Sequence, residues 1–164
     1  MTSPRPNWYA IYTFPKMERK IHSTLVTQKI TSYLPMQKTT RQWSDRIKEL
    51  RVPLFPNYLF VHIQEKERVD VLKVSGVSRF IKFDGRPVVI SEDEIEMIRK
   101  LECSEVEVES GFVSGDRVQV VQGPFVGLEG VLFQKKGKER FGVVLNGLRQ
   151  YLSLEICVNL LRKI

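Results

Sequence analysis

The chain has 164 residues, 42% of them hydrophobic, and carries 26 Lys and Arg against 19 Asp and Glu, a net charge of +7. That length suits one average domain or two small ones, and no apolar run approaches the roughly 20 residues of a membrane-spanning helix. The only cysteines, Cys103 and Cys157, lie far apart without metal-ligand spacing, so they read as reduced thiols of a cytoplasmic protein, and the amino-terminus lacks the apolar core of a signal peptide.

Residues 8–14, dominated by aromatic and β-branched side chains, predict a strand. Pro15 opens a predicted helix over about 16–29, with Met17, Ile21 and Leu25 as its buried stripe. Lys16, Arg19 and Lys20 share another face of that helix, either a solvated surface or an anion contact. A second strand is expected over 32–43, then a loop over 44–51 in a segment rich in bases, with Arg41, Arg46, Lys48 and Arg51. Residues 53–63 predict a strand with both faces apolar: Leu54, Tyr58 and Phe60 on one, Phe55, Leu59, Val61 and Ile63 on the other. Either both faces of the sheet are covered, or part of one is left for a partner.

A short helix over 65–74 follows, with Val69, Leu72 and Val74 inward, then a strand over 77–83, an Asp84-Gly85 turn and an apolar run at 88–90. Ser91 and Glu94 form a capping box that starts a helix with Ile95, Ile98 and Leu101 as its inner stripe. The order β-α-β-β-α-β-α predicts an α+β sandwich on an antiparallel sheet. Residues 102–110 hold four Glu and no base, an acidic joint between two basic modules. Beyond it, strands are expected over 117–122, 130–134, 141–145 and 150–154, with turns at Gly123-Pro124-Phe125, Lys136-Gly137 and Asn146-Gly147, the pattern of a small barrel. A helical alternative for this region would have to absorb Gly127, Gly130, Gly137, Gly142 and Gly147, each about 1 kcal/mol worse than alanine. The basic modules suit a polyanionic partner, most simply nucleic acid, or serve solubility alone.

Motifs of bond chemistry are missing: no P-loop, dinucleotide fingerprint, His-Glu-x-x-His, nucleophile elbow or Cys-x-x-Cys. His22 and His62 read as structural or solvated, and the paired carboxylates as caps or solvated charge. No enzyme site and no cofactor or metal is expected.

In sequence order, Trp8-Tyr9, Phe55-Pro56-Asn57-Tyr58, Gly115-Asp116-Arg117-Val118-Gln119-Val120, Gly123-Pro124-Phe125 and Gly130-Val131 resemble the motifs of the NusG family of transcription elongation factors, over nearly the whole chain. The resemblance implies an α+β fold: an amino-terminal NGN domain over 7–101, an antiparallel four-stranded sheet with three helices, then the acidic linker 102–110 and an SH3-like KOW β-barrel over 111–164. It implies a non-enzymatic monomer whose first domain binds the clamp helices of RNA polymerase through Trp8, Tyr12, Phe14, Phe55, Pro56, Tyr58, Phe60 and Phe80. Lys16, Arg19, Lys20, Arg41, Arg46 and Lys48 would then hold non-template or upstream DNA, and Gly123, Pro124 and Phe125 a ribosomal protein or termination factor. The runs Pro53–Val61 and Gly76–Phe80 are similar to the specialised paralogue RfaH, and the short length also fits the UpxY-type regulators of polysaccharide operons. Two features depart from RfaH: Glu65–Ser75 lacks a His-Thr-Thr run, and the Gly123-Pro124-Phe125 turn is intact, as in NusG. A housekeeping NusG is the nearest rival reading, and a KOW-type RNA-binding ribosomal protein the next.

Overall fold

The structure, a computed structural model, describes residues 4–102, 106–110 and 113–164. The chain divides into two compact units, Met1–Glu96 and Met97–Ile164. The first begins with β1 (Asn7–Thr13), α1 (Glu18–Thr27) and β2 (Thr31–Tyr33), followed by the hairpin β3 (Met36–Gln42) and β4 (Ile47–Pro53). Next come β5 (Tyr58–Ile63), α2 (Arg68–Leu72), β6 (Val77–Phe80), the small hairpin β7 (Lys82–Phe83) and β8 (Arg86–Pro87), and β9 (Val89–Ile90). Helix α3 (Glu92–Leu101) straddles the division between the units.

The main sheet has the order β2-β5-β1-β6, the four antiparallel strands expected, and the short β9 shares the β6 edge of β1. One face of β1 and β5 carries Tyr9, Ile11, Leu59, Val61 and Ile63, which pack with Ile21 and Leu25 of α1 and Val71 of α2. The opposite face carries Trp8, Ala10, Phe60 and His62, with Trp8 stacked on His62 and Phe60 on Tyr33. Both faces are therefore apolar and largely covered, and Phe60 is as fully buried as Leu59.

Several elements differ from the sequence expectation. Strand β5 begins at 58 rather than 53, because Leu54–Asn57 make a turn in which Asn57 takes φ 69°, outside extended backbone. The expected loop at 44–51 is mostly strand: β3 and β4 form a separate two-stranded sheet with a turn at 43–46. Pro15 stands before α1 and not in it, since Lys16 turns left-handed (φ 63°) and the helix starts at Glu18. The inward residues are Val71 on α2 and Val74 just beyond it, while Val69 and Leu72 are exposed. Val71 lies near the end of α2, the Val74 N–H donates to its carbonyl in the turn that follows (3.1 Å), and the buried run continues into Val77. The capping box is formed: the Ser91 N–H donates to Glu94 Oε2 (3.0 Å) and the Glu94 N–H to Ser91 Oγ (3.2 Å). Ile95, Ile98 and Leu101 are all buried.

Beyond α3 the described elements of the second unit are six strands and two 3-10 turns: β10 (Glu107–Ser110), β11 (Asp116–Val120), β12 (Glu129–Lys135), β13 (Lys138–Leu145), β14 (Gln150–Glu155) and β15 (Leu161–Lys163). They form one antiparallel sheet in the order β10-β14-β13-β12-β11-β15, around Val118, Val120, Phe141, Val143, Leu145, Leu152 and Leu154. Gly130 sits where a Cβ would come within 2.4 Å of the Gly142 carbonyl oxygen and 2.6 Å of the Phe141 ring, so only glycine fits between β12 and β13. The acidic joint 102–110 is corrected in part, because its last four residues are β10, paired in register with β14. Cys103 and the expected domain start at Gly111 lie outside the described residues.

Candidate functional site

The aromatic residues singled out from the sequence separate into a buried set and a surface set. Trp8, Phe55, Phe60 and Phe80 are buried, so the expectation that they meet a partner directly is corrected: they support the surface from below. Trp8 Nε1 donates to Glu92 Oε2 (2.9 Å), and Phe55 meets Phe60 edge-on at 5.8 Å. Phe80 stacks edge-on against Tyr9, with the Arg68 guanidinium 5.3 Å from its ring centre.

The surface set is Tyr12, Phe14, Pro56 and Tyr58. Tyr12 and Tyr58 are directly opposed across β1 and β5 and half-buried, their rings 5.5 Å apart at 84°. The Arg79 guanidinium lies over Tyr12, 5.0 Å from the ring centre, a cation–π contact that leaves a mixed aromatic and cationic surface. Phe14 is 56% exposed, and Pro56 is exposed too. The turn beside them is pinned twice: the Asn57 N–H donates to Glu18 Oε1 (2.9 Å), and the Asn57 carbonyl accepts from the Thr13 N–H (2.8 Å). Glu18 and Arg79 were not singled out from sequence, and their roles depend on contacts 39 residues from Glu18 and across the sheet from Arg79.

The basic residues singled out from the sequence all reach the surface. Lys16, Arg19 and Lys20 are exposed, and Arg19 donates to the Arg51 carbonyl, which links α1 to the base of hairpin β3–β4. Arg41, Arg46 and Lys48 are exposed on the outer part of that hairpin, as are Trp43 and Ile47. His22 is half-buried with its Nδ1 2.9 Å from Ser32 Oγ, and burial pushes its pKa below the ordinary histidine value.

In the second unit Gly123 (φ 93°) and Gly127 (φ 93°) shape a loop that exposes Pro124 and Val126 and half-buries Phe125. Sequence reasoning missed an ionic cluster that fixes β10. The Glu109 carboxylate accepts from Lys135 Nζ (2.8 Å), Tyr151 Oη (2.7 Å) and Ser153 Oγ (3.1 Å). Glu107 meets Lys135 at 3.1 Å and the buried Arg140 at 3.7 Å. Burial alone would raise the Glu109 carboxyl, but the three hydrogen bonds and the Lys135 charge outweigh it and hold it below the usual carboxylate range. Tyr151 is pushed upward by burial and by donating to Glu109.

Among the described residues no cluster of His, Cys, Asp or Glu is placed to hold a metal ion, and no helix is long and apolar enough to cross a membrane.

Comparison with known proteins gives a consistent result. A family model described as the transcription termination factor NusG matches residues 6–99. The transcription termination/antitermination protein NusG of Thermus thermophilus is 28% identical over 175 aligned residues, covering 90% of this chain and 94% of that protein. The protein of the same description from Treponema pallidum is 25% identical over 176, covering 91% and 95%. Among solved structures, Thermotoga maritima NusG superposes with a TM-score of 0.58 at 23% identity over 98% of both chains, a likeness of fold.

Proposed function

The chain belongs to the NusG family of non-enzymatic transcription elongation and antitermination factors, and from this we propose that it is a specialised paralogue that rides on RNA polymerase at selected operons and suppresses pausing or termination. The observation that carries the reading is the half-exposed pair Tyr12 and Tyr58, held beside Phe14 and Pro56 on an otherwise covered sheet. Such a patch fits an apolar helical surface, and the clamp helices of polymerase are the partner proposed for it. A factor that binds better to the closed, active polymerase than to the paused one shifts the population toward the active state.

On this reading residues 7–101 form the polymerase-binding domain and 111–164 the KOW domain. Lys16, Arg19, Lys20, Arg41, Arg46 and Lys48 hold non-template or upstream DNA through its phosphates. The loop at Gly123, Pro124 and Phe125 recruits a ribosomal protein or termination factor. The protein acts as a cytoplasmic monomer, and its second unit stays β without a helical mask over the first. Support for the specialised role comes from the runs Pro53–Val61 and Gly76–Phe80, which are similar to RfaH. The intact Gly123-Pro124-Phe125 turn and the NusG relatives favour a housekeeping factor as the second reading. A genome-wide map of the protein on transcribing polymerase decides between them. Occupancy confined to a few operons supports the specialist, occupancy on most genes supports the housekeeper, and occupancy on none overturns both.

A further inference from the structure

We propose that the tip of hairpin β3–β4 is a stacking platform for an unpaired base of a nucleic acid, with Trp43 as the platform and Arg41, Arg46 and Lys48 as the flanking phosphate contacts. The inference rests on the reading of this hairpin as a nucleic-acid contact, and narrows it to strands that present an unpaired base.

The register of the hairpin supplies the argument. Arg41 is paired with Lys48, and Gln42 with Ile47, while the Trp43 N–H donates to the Arg46 carbonyl (2.7 Å) to close the turn. Side chains alternate between the faces of a strand, so Arg41, Trp43, Arg46 and Lys48 share one face. The other face carries Gln42 and Ile47, then Thr40 opposite Glu49. It has its own charge compensation, with Lys38 Nζ 3.4 Å from Glu49. On the first face Arg41, Arg46 and Lys48 make no ion pair among the described residues, and Asp45 at the turn pairs with none of the three. Like charges directly opposed across a strand pair are destabilising, in a two-stranded sheet that is marginal by itself. A polyanion along this face would relieve that repulsion.

Charge alone fits any phosphate backbone, and the indole makes the site more selective. Trp43 is 54% exposed, whereas the other tryptophan, Trp8, is 5% exposed. Inside a duplex every base is stacked on both faces, but an unpaired base can present a free ring face. A base stacked on an aromatic ring within a cationic groove gains roughly ten-fold or more in affinity. Tryptophan with cations also suits an anionic lipid surface, but the two apolar tip residues, Trp43 and Ile47, stand on opposite faces of the ribbon and cannot lie together on one flat surface. A nucleic acid needs only the first face.

The test uses the full chain with a blunt DNA duplex, a forked duplex of equal phosphate number and vesicles rich in phosphatidylserine. The fork should bind about ten-fold more tightly than the blunt duplex and quench tryptophan emission. Trp43→Ala should reduce the fork to the level of the duplex, with unchanged duplex affinity and melting curve, and Trp43→Phe should restore part of the preference. Equal affinity for fork and duplex, unaltered by Trp43→Ala, overturns the inference while leaving the hairpin as a phosphate contact. Binding of neither DNA overturns the hairpin reading along with it. Vesicle binding that is lost in Trp43→Ala, without any fork preference, makes the occupant lipid and overturns it as well. Polymerase binding by Trp43→Ala, measured in parallel, separates each of these outcomes from a failure of the proposed function.

Discussion

Glu18, the first residue of α1, reaches across to the turn before β5 and accepts a hydrogen bond from the backbone N–H of Asn57 at 2.9 Å. Glu18 is itself buried, and Asn57 holds a left-handed conformation, so the contact fixes the turn that carries Pro56 and leads into Tyr58. Glu18→Ala leaves that N–H without its charged acceptor and should cost about 1–3 kcal/mol in a urea titration. Glu18→Gln, which keeps an acceptor oxygen, should recover much of the loss. Equal stability of the alanine variant and the wild type would show that water replaces the carboxylate.

Tyr58 and Phe60 are two residues apart on the same face, yet one is half-exposed and the other is fully buried. Tyr58→Ala should therefore weaken polymerase binding by about 2–4 kcal/mol with little change in melting temperature. Phe60→Ala should lower stability by about 3–5 kcal/mol through the cavity it leaves. If Tyr58→Ala unfolds the protein instead, that side chain belongs to the core.

Lys16, Arg19 and Lys20 are exposed on α1 and its approach, with Arg19 in contact with the Arg51 carbonyl. In a polymerase–DNA complex the triple alanine variant should bind with a shallower salt dependence, each lost phosphate contact lowering the slope by about 0.7–0.9. Affinity measured across a salt series gives the slope directly, and an unchanged value would make the face a solvated one.

The lowered carboxyl of Glu109 sets a pH dependence with a definite sign. Its pKa in the fold lies below the ordinary 4.5, so its stabilising contribution is present above that value and is lost as the pH falls through the folded one. Tyr151, raised above 10.0, loses its contribution only as the pH climbs past that range. Amide hydrogen exchange in β10 and β14, corrected for intrinsic rates, should accelerate as the solution is acidified below about 4.5. Glu109→Gln should exchange faster at neutral pH and respond less to acid. Exchange independent of pH in the wild type would mean that the backbone pairing alone secures the strand.

Much of this was legible from residue patterns. The stripe Ile21 and Leu25, the box at Ser91 and Glu94 and the glycine-marked turns of the second unit are local signals, and they formed where expected. The strand expected over 32–43 covers β2 and β3, which belong to different sheets, but periodicity gave no guidance for β4, because a sheet of two strands without a buried face need not alternate. It also failed over 53–57, where the apolar run hid a turn that Pro56 and Asn57 encoded. Which aromatics face outward could not be read from strand β5, since both of its faces are apolar and the covering residues come from elsewhere. Strand β10 did show a period of two in Glu107-Val108-Glu109, but its charges resembled a solvated joint until Lys135 and Arg140 stood opposite them.

Hairpin β3–β4 sets its register by its own pairing and is attached to the rest of its unit mainly at its base, through the Leu54 N–H on the Pro35 carbonyl and Arg19 on Arg51. Residues 38–50 should therefore tolerate replacement as a unit. Substitutions, insertions or a transplanted tip alter what this arm touches without disturbing the strands that carry Tyr12 and Tyr58. Sequence change there carries little cost to folding, while the sheet, its faces largely covered, resists change.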